Sequence, residues 1–261
     1  MASQALSLRA AGRLRSFGIV APIIVACAEV SMPPGRPKRW HPFHMTSEGL
    51  EHVRLDLSGY RSRDLALDLA AHGCPAQYTA IAKKYMSSTT QVTDGFLLFG
   101  SVVSRMRGLH EGVVREIAAD NPHAVHPLTR AWVEIITITM YVLRNPRYGE
   151  FLLRGYGDGR PGKKSFEAMF HAVREDASQL KLVYGELSEF SHFGPLGVWN
   201  VHAIEDKEQR IMTWTDVPRW RNDDHFRVAC AQAHELAVAG LHFLDELGQL
   251  LIHEGRGGAD D

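Results

Sequence analysis

The chain has 261 residues, of which 45% are hydrophobic and 23% are charged, as is typical of a folded protein with a sizeable core. Its formal net charge of −1 argues against bulk electrostatic binding to nucleic acid or to an anionic membrane. The three cysteines form no Cys-x-x-Cys pair, so neither a zinc ribbon nor a disulfide scaffold is indicated.

Residues 1–47 differ in composition from the rest of the chain. Basic residues flank an apolar run from Phe17 to Cys27, which is typical of a secretory signal, and the end of that run is similar to a lipoprotein cleavage box. The prediction for this segment is a disordered extension or a misassigned start, with a signal-like segment as the alternative. Because nothing downstream suggests an oxidising compartment, the predicted location is the cytoplasm, with an exported lipoprotein attached through Cys27 as the alternative. The apolar run is too short to span a membrane.

From Gly59 onward, apolar residues recur at intervals of three and four, which predicts helices. Two short helices are expected at 63–71 and 76–86, and a longer one from Thr93 or Asp94 to about residue 120. We predict a single helical domain over 48–254, followed by a disordered tail at 255–261.

The next predicted helix, from about Pro127 to Arg144, is apolar around almost its whole circumference, so it should be buried on most sides. Its polar residues form one narrow stripe: Arg130, Glu134, Thr137 and Tyr141. If this stripe faces other helices, its polar groups must be hydrogen-bonded.

A further long helix is predicted from Phe166 to about His192, and its core face turns polar towards its end. A small β-hairpin near residues 197–215 and a last helix from Asn222 or Asp223 follow. The predicted fold class is therefore mainly α, a four- to six-helix bundle with a small β-hairpin.

The polar end of that long helix and the stripe on the preceding one form the candidate site. We predict that five side chains converge: Arg130, Glu134, Tyr184, Ser188 and His192. A hydrogen-bonded network that holds two helices together explains them without any catalytic role. Whether the protein is an enzyme stays open.

The sequence gives only weak support for a metal or cofactor site. Glu189 and His192 have the Glu-x-x-His spacing of carboxylate di-iron bundles, but no second copy stands on an apolar helix. The glycines between Gly155 and Gly162 follow no strand and lack a phosphate-loop ending. No metal and no cofactor is predicted, and a metal-binding helical bundle is kept as an alternative.

Helical nucleases supply another alternative, because some use an Arg-x(4–6)-His pair for phosphate binding and acid–base catalysis. The spacing occurs at Arg105…His110 and at Arg219…His225. In a chain with fourteen histidines, two or three such pairs are expected by chance.

The segment Leu128-Thr-Arg-Ala-Trp-Val-Glu134, followed by Tyr184-x-x-Leu-Ser-x-x-x-His192 and a tryptophan-bearing hairpin, resembles a group of bacterial all-helical proteins. That group is loosely similar to HEPN-like bundles and has no established common activity. The resemblance covers roughly residues 90–250 and marks the five candidate residues as signature positions. It implies a partner-binding component of a bacterial defence or stress system, with a metal-independent HEPN-type RNase as the alternative. The expected partner is a protein, RNA or a second copy of the chain.

Overall fold

Side-chain hydrogen bonds fix where several helices begin. In the computed structural model, Ser62 caps α1 (Arg63–Ala70), Thr93 caps α3 (Asp94–Ala118) and Ser165 caps α6 (Phe166–Ser191). Each of these hydroxyl oxygens accepts a hydrogen bond from a backbone NH in the first helical turn, where no carbonyl partner exists. These three starts agree with the sequence-based prediction to within three residues.

The structure describes residues 57–86, 92–155, 157, 162–192, 202–206, 211–214 and 216–253. The predictions for residues 1–47 and 255–261 lie outside these ranges. The remaining elements are α2 (Ala76–Tyr85), α4 (Pro122–Arg144), α5 (Tyr148–Arg154), α7 (Asp223–Gly248) and a π-helical turn (Gln249–His253). The mainly α fold class is confirmed.

Helix α4 begins at Pro122, five residues earlier than predicted. Asn121 caps it, and Pro122 takes the first helical position, where a missing NH costs no hydrogen bond. Pro127 then lies inside the helix and leaves the carbonyl of His123 without its usual partner four residues on. The sequence-based prediction placed the start of this helix at Pro127, whereas the helix starts at Pro122.

Helix α5 was not predicted. Asn145 and Pro146 end α4 as expected, but the chain forms two further helical turns before the glycine-rich loop begins. Tyr148 is buried there and packs edge-on against Tyr141. With α5 and the π-turn, the described residues hold more helical elements than the four to six expected.

Helix α4 lies at the centre of the bundle and contacts α3, α6 and α7, while α1 and α2 pack on α7. Trp132 and Ile136 of α4 are fully buried beside Met106 of α3. Gly240 of α7 packs against these side chains, and a Cβ there would be in ordinary van der Waals contact with the Met106 sulfur, at 3.5 Å. The core is thus built around the helix that the sequence marked as apolar on most sides.

Between α6 and α7 the structure describes the backbone of two short strands, β1 (His202–Asp206) and β2 (Ile211–Trp214). They pair antiparallel, with His202 opposite Trp214 and an irregularity before Asp206. The turn and the Trp199 end of the hairpin predicted at 197–215 lie outside the described residues, so the complete hairpin stays a prediction.

Candidate functional site

Arg130 on α4 is the hub of a polar network with α6. Its Nε donates to the Ser188 hydroxyl over 3.1 Å, and its Nη2 donates to the Tyr184 hydroxyl over 2.7 Å. The same Nη2 lies 3.1 Å from Oε1 of Glu134, one turn along α4. One guanidinium therefore contacts both helices, which suits its fixed fork of NH donors.

Tyr184 closes the network. Its hydroxyl donates to Glu134 over 3.0 Å while accepting from Arg130. Its ring lies 5.0 Å from the Arg130 guanidinium carbon and stacks on Phe166 at a centroid distance of 3.9 Å. The tyrosine is thus held by its ring as well as by its hydroxyl.

The network is half-buried. The side chains of Arg130 and Glu134 keep 25% and 35% of their surface exposed. A charged pair in this setting is desolvated enough to need its hydrogen bonds, yet open enough to be screened by salt. The candidate residues are therefore reachable from solvent at one edge.

His192 does not join the other four side chains. It is exposed at the C-terminal cap of α6, where its backbone NH donates to the Ser188 carbonyl. Thr137 also departs from the predicted stripe, because it is fully buried and its hydroxyl donates to the Val133 carbonyl. Four of the five predicted residues converge, and the polar stripe on α4 is shorter than expected.

A second polar group lies in a small cleft between α4, α6 and α7. Its ionisable members are His126 of α4, Glu186 of α6 and His225 of α7. Apolar side chains and one amide complete the lining: Leu187, Phe190, Trp220, Val228, Ala229 and Gln232. The His126 ring stacks on Phe190 at 4.1 Å, which fixes the orientation of the imidazole.

Burial changes the acid–base properties of this cleft. Desolvation, together with the neighbouring His123 and His225, lowers the pKa of His126 to about 3. Desolvation also lowers the pKa of His225 and raises that of Glu186 to about 7. The histidines are therefore neutral at pH 7, and Glu186 is close to half-protonated.

The sequence analysis missed this cleft as a site. His126, Glu186 and His225 stand on three different helices, so no local spacing joins them. The only signal was the Arg219…His225 spacing, which pointed to one member. A cleft that contains several groups with shifted pKa values is a functional-site candidate on physical grounds.

The structure separates the two Arg-x(4–6)-His pairs. His110 is fully buried, stacks on Trp132 at 4.7 Å, and contacts the Ala70 carbonyl oxygen through Nε2 at 2.6 Å. Because a carbonyl only accepts, Nε2 carries the proton and the ring is committed to the core. His225, in contrast, lines the cleft, so of the two histidines only His225 is placed for acid–base chemistry on a substrate.

Within the described residues, no group of three or more His, Cys, Asp or Glu side chains is arranged to hold a metal ion. Glu189 and His192, which have the di-iron spacing, are both exposed at the end of α6. Among the same residues, no helix is long and apolar enough to cross a membrane.

Comparisons of this chain with protein-family models, curated proteins and solved structures give no match. The likeness to bacterial helical proteins and to HEPN-like bundles therefore stays a prediction. The functional proposals below rest on the geometry of the network and of the cleft.

Proposed function

We propose that this chain is a helical binding protein, a partner-binding component, and that its Arg130 network holds α4 against α6 instead of catalysing a reaction. The observation that supports the structural role of the network is that the four side chains bond to one another, and partner binding is what the sequence resemblance implies. Arg130 bonds to Ser188, Tyr184 and Glu134, and Tyr184 bonds to Glu134.

A catalytic serine would need a base that can take its proton. The hydroxyl of Ser188 instead accepts a hydrogen bond from Arg130, a group that cannot remove a proton. His192 contributes no ring contact to the network and caps α6 with its backbone. These contacts favour a structural role.

The test compares four single variants of the full chain: Arg130→Lys, Glu134→Gln, Tyr184→Phe and Ser188→Ala. We expect each to lower the free energy of unfolding by about 1–3 kcal/mol, because each removes or weakens a hydrogen bond between half-buried groups of the network. Arg107→Lys is the matched control, since Arg107 pairs with Glu111 on an exposed helix surface. That change should cost less than about 0.5 kcal/mol.

The test for a binding partner uses purified proteins. The proposed partner is a protein, and sedimentation velocity on the pure chain first tests whether it is a second copy. Any other protein partner counts only if the two purified chains form a complex of defined stoichiometry. One result contradicts the proposal: the wild type cleaves RNA, and Tyr184→Phe or Ser188→Ala abolishes this cleavage without changing the free energy of unfolding.

A second candidate function is a metal-independent RNase, favoured by the position of His225 in the cleft beside His126 and Glu186. A neutral imidazole and a protonated carboxyl in one cleft have the protonation states that a general base and a general acid require. Arg219, which precedes His225 by six residues, is exposed and could contact phosphate.

This candidate predicts that His225→Ala and Arg219→Ala abolish cleavage of a single-stranded RNA in the presence of EDTA. Arg105→Ala, in the other pair, is the control and should leave cleavage unchanged. If the wild type does not cleave RNA, or if Arg105→Ala removes the activity equally, the RNase hypothesis is wrong.

A further inference from the structure

Two histidine rings lie close together where α7 passes the turn that follows α1. His72 lies in that turn, between α1 and α2, and is exposed, whereas His234 lies in the middle of α7 and is partly buried. Their ring centres are 6.1 Å apart, with an angle of 84° between the ring planes. The two residues are distant in sequence, so the packing of α1 and α2 on α7 brings them together.

The ring nitrogens of this histidine pair are available to a ligand. Nδ1 of His234 lies 3.0 Å from the Tyr60 hydroxyl, which fixes the orientation of the imidazole. Among the described residues, Nε2 of His234 and both nitrogens of His72 have no hydrogen-bond partner. A histidine that is held through one nitrogen and free at the other has the arrangement of a metal ligand, whose second nitrogen bonds to an orienting group.

The protonation state and the spacing of the two rings suit a metal ion. An imidazole binds a metal only in its neutral form. Burial, and then the nearby His72, lower the pKa of His234, so this ring is neutral at pH 7. Zinc–nitrogen bonds are about 2.0–2.1 Å long, which places the centres of two imidazoles on one ion about 5–6 Å apart. His72 is exposed and can turn its ring to reach this spacing without breaking a hydrogen bond.

A carboxyl group near the pair favours a positive charge. Oε2 of Glu235, the next residue on α7, is buried and has no hydrogen-bond partner within the described part of the chain. Burial raises the pKa of Glu235. Burial, and then Glu235, raise the pKa of Tyr60 to about 12, so the carboxyl lies within electrostatic reach of the tyrosine that holds His234. A cation on the two rings would stabilise this unpaired carboxyl.

We propose that His72 and His234 bind one divalent transition-metal ion, zinc in the first place, and that Tyr60 is a positioning residue. In the bound form Nε2 of His234 contacts the metal, and Nδ1 carries the proton and donates to the Tyr60 oxygen. Water completes the coordination, so the ion should exchange readily and be removed by EDTA. Imidazole nitrogens suit zinc, copper and nickel, whereas magnesium and calcium prefer oxygen ligands.

The ion would join the turn between α1 and α2 to the middle of α7. This site goes beyond the proposed partner-binding function and does not depend on it. A centre with two protein ligands also agrees with the finding that the described residues hold no metal-binding group of three or more side chains.

The experiment is isothermal titration calorimetry of the full chain, free of any histidine tag and treated with EDTA, with zinc chloride and separately with magnesium chloride at pH 7.5. We expect a saturable zinc-binding component with one ion per chain and no such component for magnesium. His72→Gln and His234→Gln should each weaken that component at least tenfold. His171→Gln on α6 and His242→Gln on α7 are the matched controls and should bind zinc like the wild type.

Tyr60→Phe tests the positioning role. Loss of a group that orients a metal-binding histidine costs about 10–100-fold in metal affinity, and we expect a loss in this range. An affinity equal to that of the wild type contradicts the role given to Tyr60. If His234→Gln does not fold, His72→Gln decides the matter, because the exposed His72 makes no hydrogen bond in the described structure.

Three results would overturn the site: no saturable zinc binding, zinc binding that His72→Gln leaves unchanged, or magnesium binding as tight as zinc binding. Hydrogen exchange gives a second readout, since zinc should slow the exchange of α1 amides in the wild type but not in His72→Gln. Equal exchange with and without zinc contradicts the proposed link between the turn and α7. Failure of this site leaves the partner-binding proposal untouched, because the Arg130 network lies on α4 and α6.

Discussion

The Arg130 guanidinium on α4 donates to the Tyr184 hydroxyl on α6 over 2.7 Å and lies 5.0 Å from the centre of the same ring. The two residues are fifty-four positions apart in sequence. One side chain thus makes both a hydrogen bond and a cation–π contact across the interface between these helices.

Tyr184→Phe should lower the free energy of unfolding by about 1–3 kcal/mol, because Arg130 and Glu134 both lose a half-buried partner. The aromatic ring and its stacking on Phe166 are kept, so lost packing does not explain the effect. Urea unfolding at pH 7 measures it. Tyr141→Phe is the control, since Tyr141 contacts Tyr148 edge to face through its ring. An equal cost in both variants contradicts a special role for the Tyr184 hydroxyl.

Glu186→Gln should make the protein more stable at pH 8 and leave its stability at pH 4 nearly unchanged. The folded-state pKa of Glu186 is raised from 4.5 to about 7 by burial. The unfolded chain therefore releases this proton first, and wild-type stability falls as the pH rises from about 4.5 to about 7. We expect a gain of about 1–3 kcal/mol at pH 8 from urea unfolding. Glu189→Gln, on the exposed side of α6, should give no such difference.

His126→Phe should protect the protein against acid. The pKa of His126 falls from 6.5 to about 3 on folding, so the unfolded state binds the proton first as the pH drops. Its stabilising contribution is fully present above pH 6.5 and is lost progressively towards pH 3. Because Glu186 acts in the opposite direction between pH 4.5 and 6.5, the comparison is made in the Glu186→Gln background.

In that background, thermal unfolding should show a smaller drop from pH 7 to pH 4.5 for His126→Phe than for the parent. His171→Gln, which removes an exposed histidine of α6, serves as the control. An identical pH profile for the two chains means that His126 titrates normally in the folded state.

Gly248→Ala should destabilise the fold by about 1–3 kcal/mol, the usual cost of overpacking. A Cβ at the end of α7 would lie 2.6 Å from Cε2 of Tyr85, and that ring is held by a hydrogen bond from its hydroxyl to Asp245. Gly108→Ala on the exposed side of α3 is the matched control, because a Cβ there meets nothing within 4 Å. It should stabilise by about 0.5–1 kcal/mol, since alanine favours the helix. Denaturant unfolding of both variants measures these changes in the free energy of unfolding.

Helical periodicity predicted α3, α6 and α7 well, because each turns a continuous apolar face to the core. It also predicted that Arg130 and Glu134 would meet Tyr184 and Ser188, since polar residues inside apolar segments must find partners. The prediction that the His192 side chain joins these residues was wrong. His192 is exposed at the C-cap of α6, one helical turn beyond Ser188, and its side chain does not join the Arg130 contacts.

The cleft could not be predicted in the same way. Its ionisable residues depend on how α4, α6 and α7 pack, and their shifted pKa values arise from burial, which a spacing pattern does not report. Helix α5 was missed because the prolines and glycines around it look like loop signals. Its stability comes from tertiary packing of Tyr148 against Tyr141.

The Arg130 contacts also limit how α6 can move on α4. Tyr184 and Ser188 lie one helical turn apart, and the guanidinium bonds to both. Sliding α6 by a single residue would shift it about 1.5 Å and turn its side chains by about 100°, which breaks both bonds at once. Small continuous displacements are therefore costly, and a jump of a whole turn, about 5.4 Å, is the shortest one that again offers Arg130 a residue from the same face. Any signal carried through this pair of helices would be stepwise.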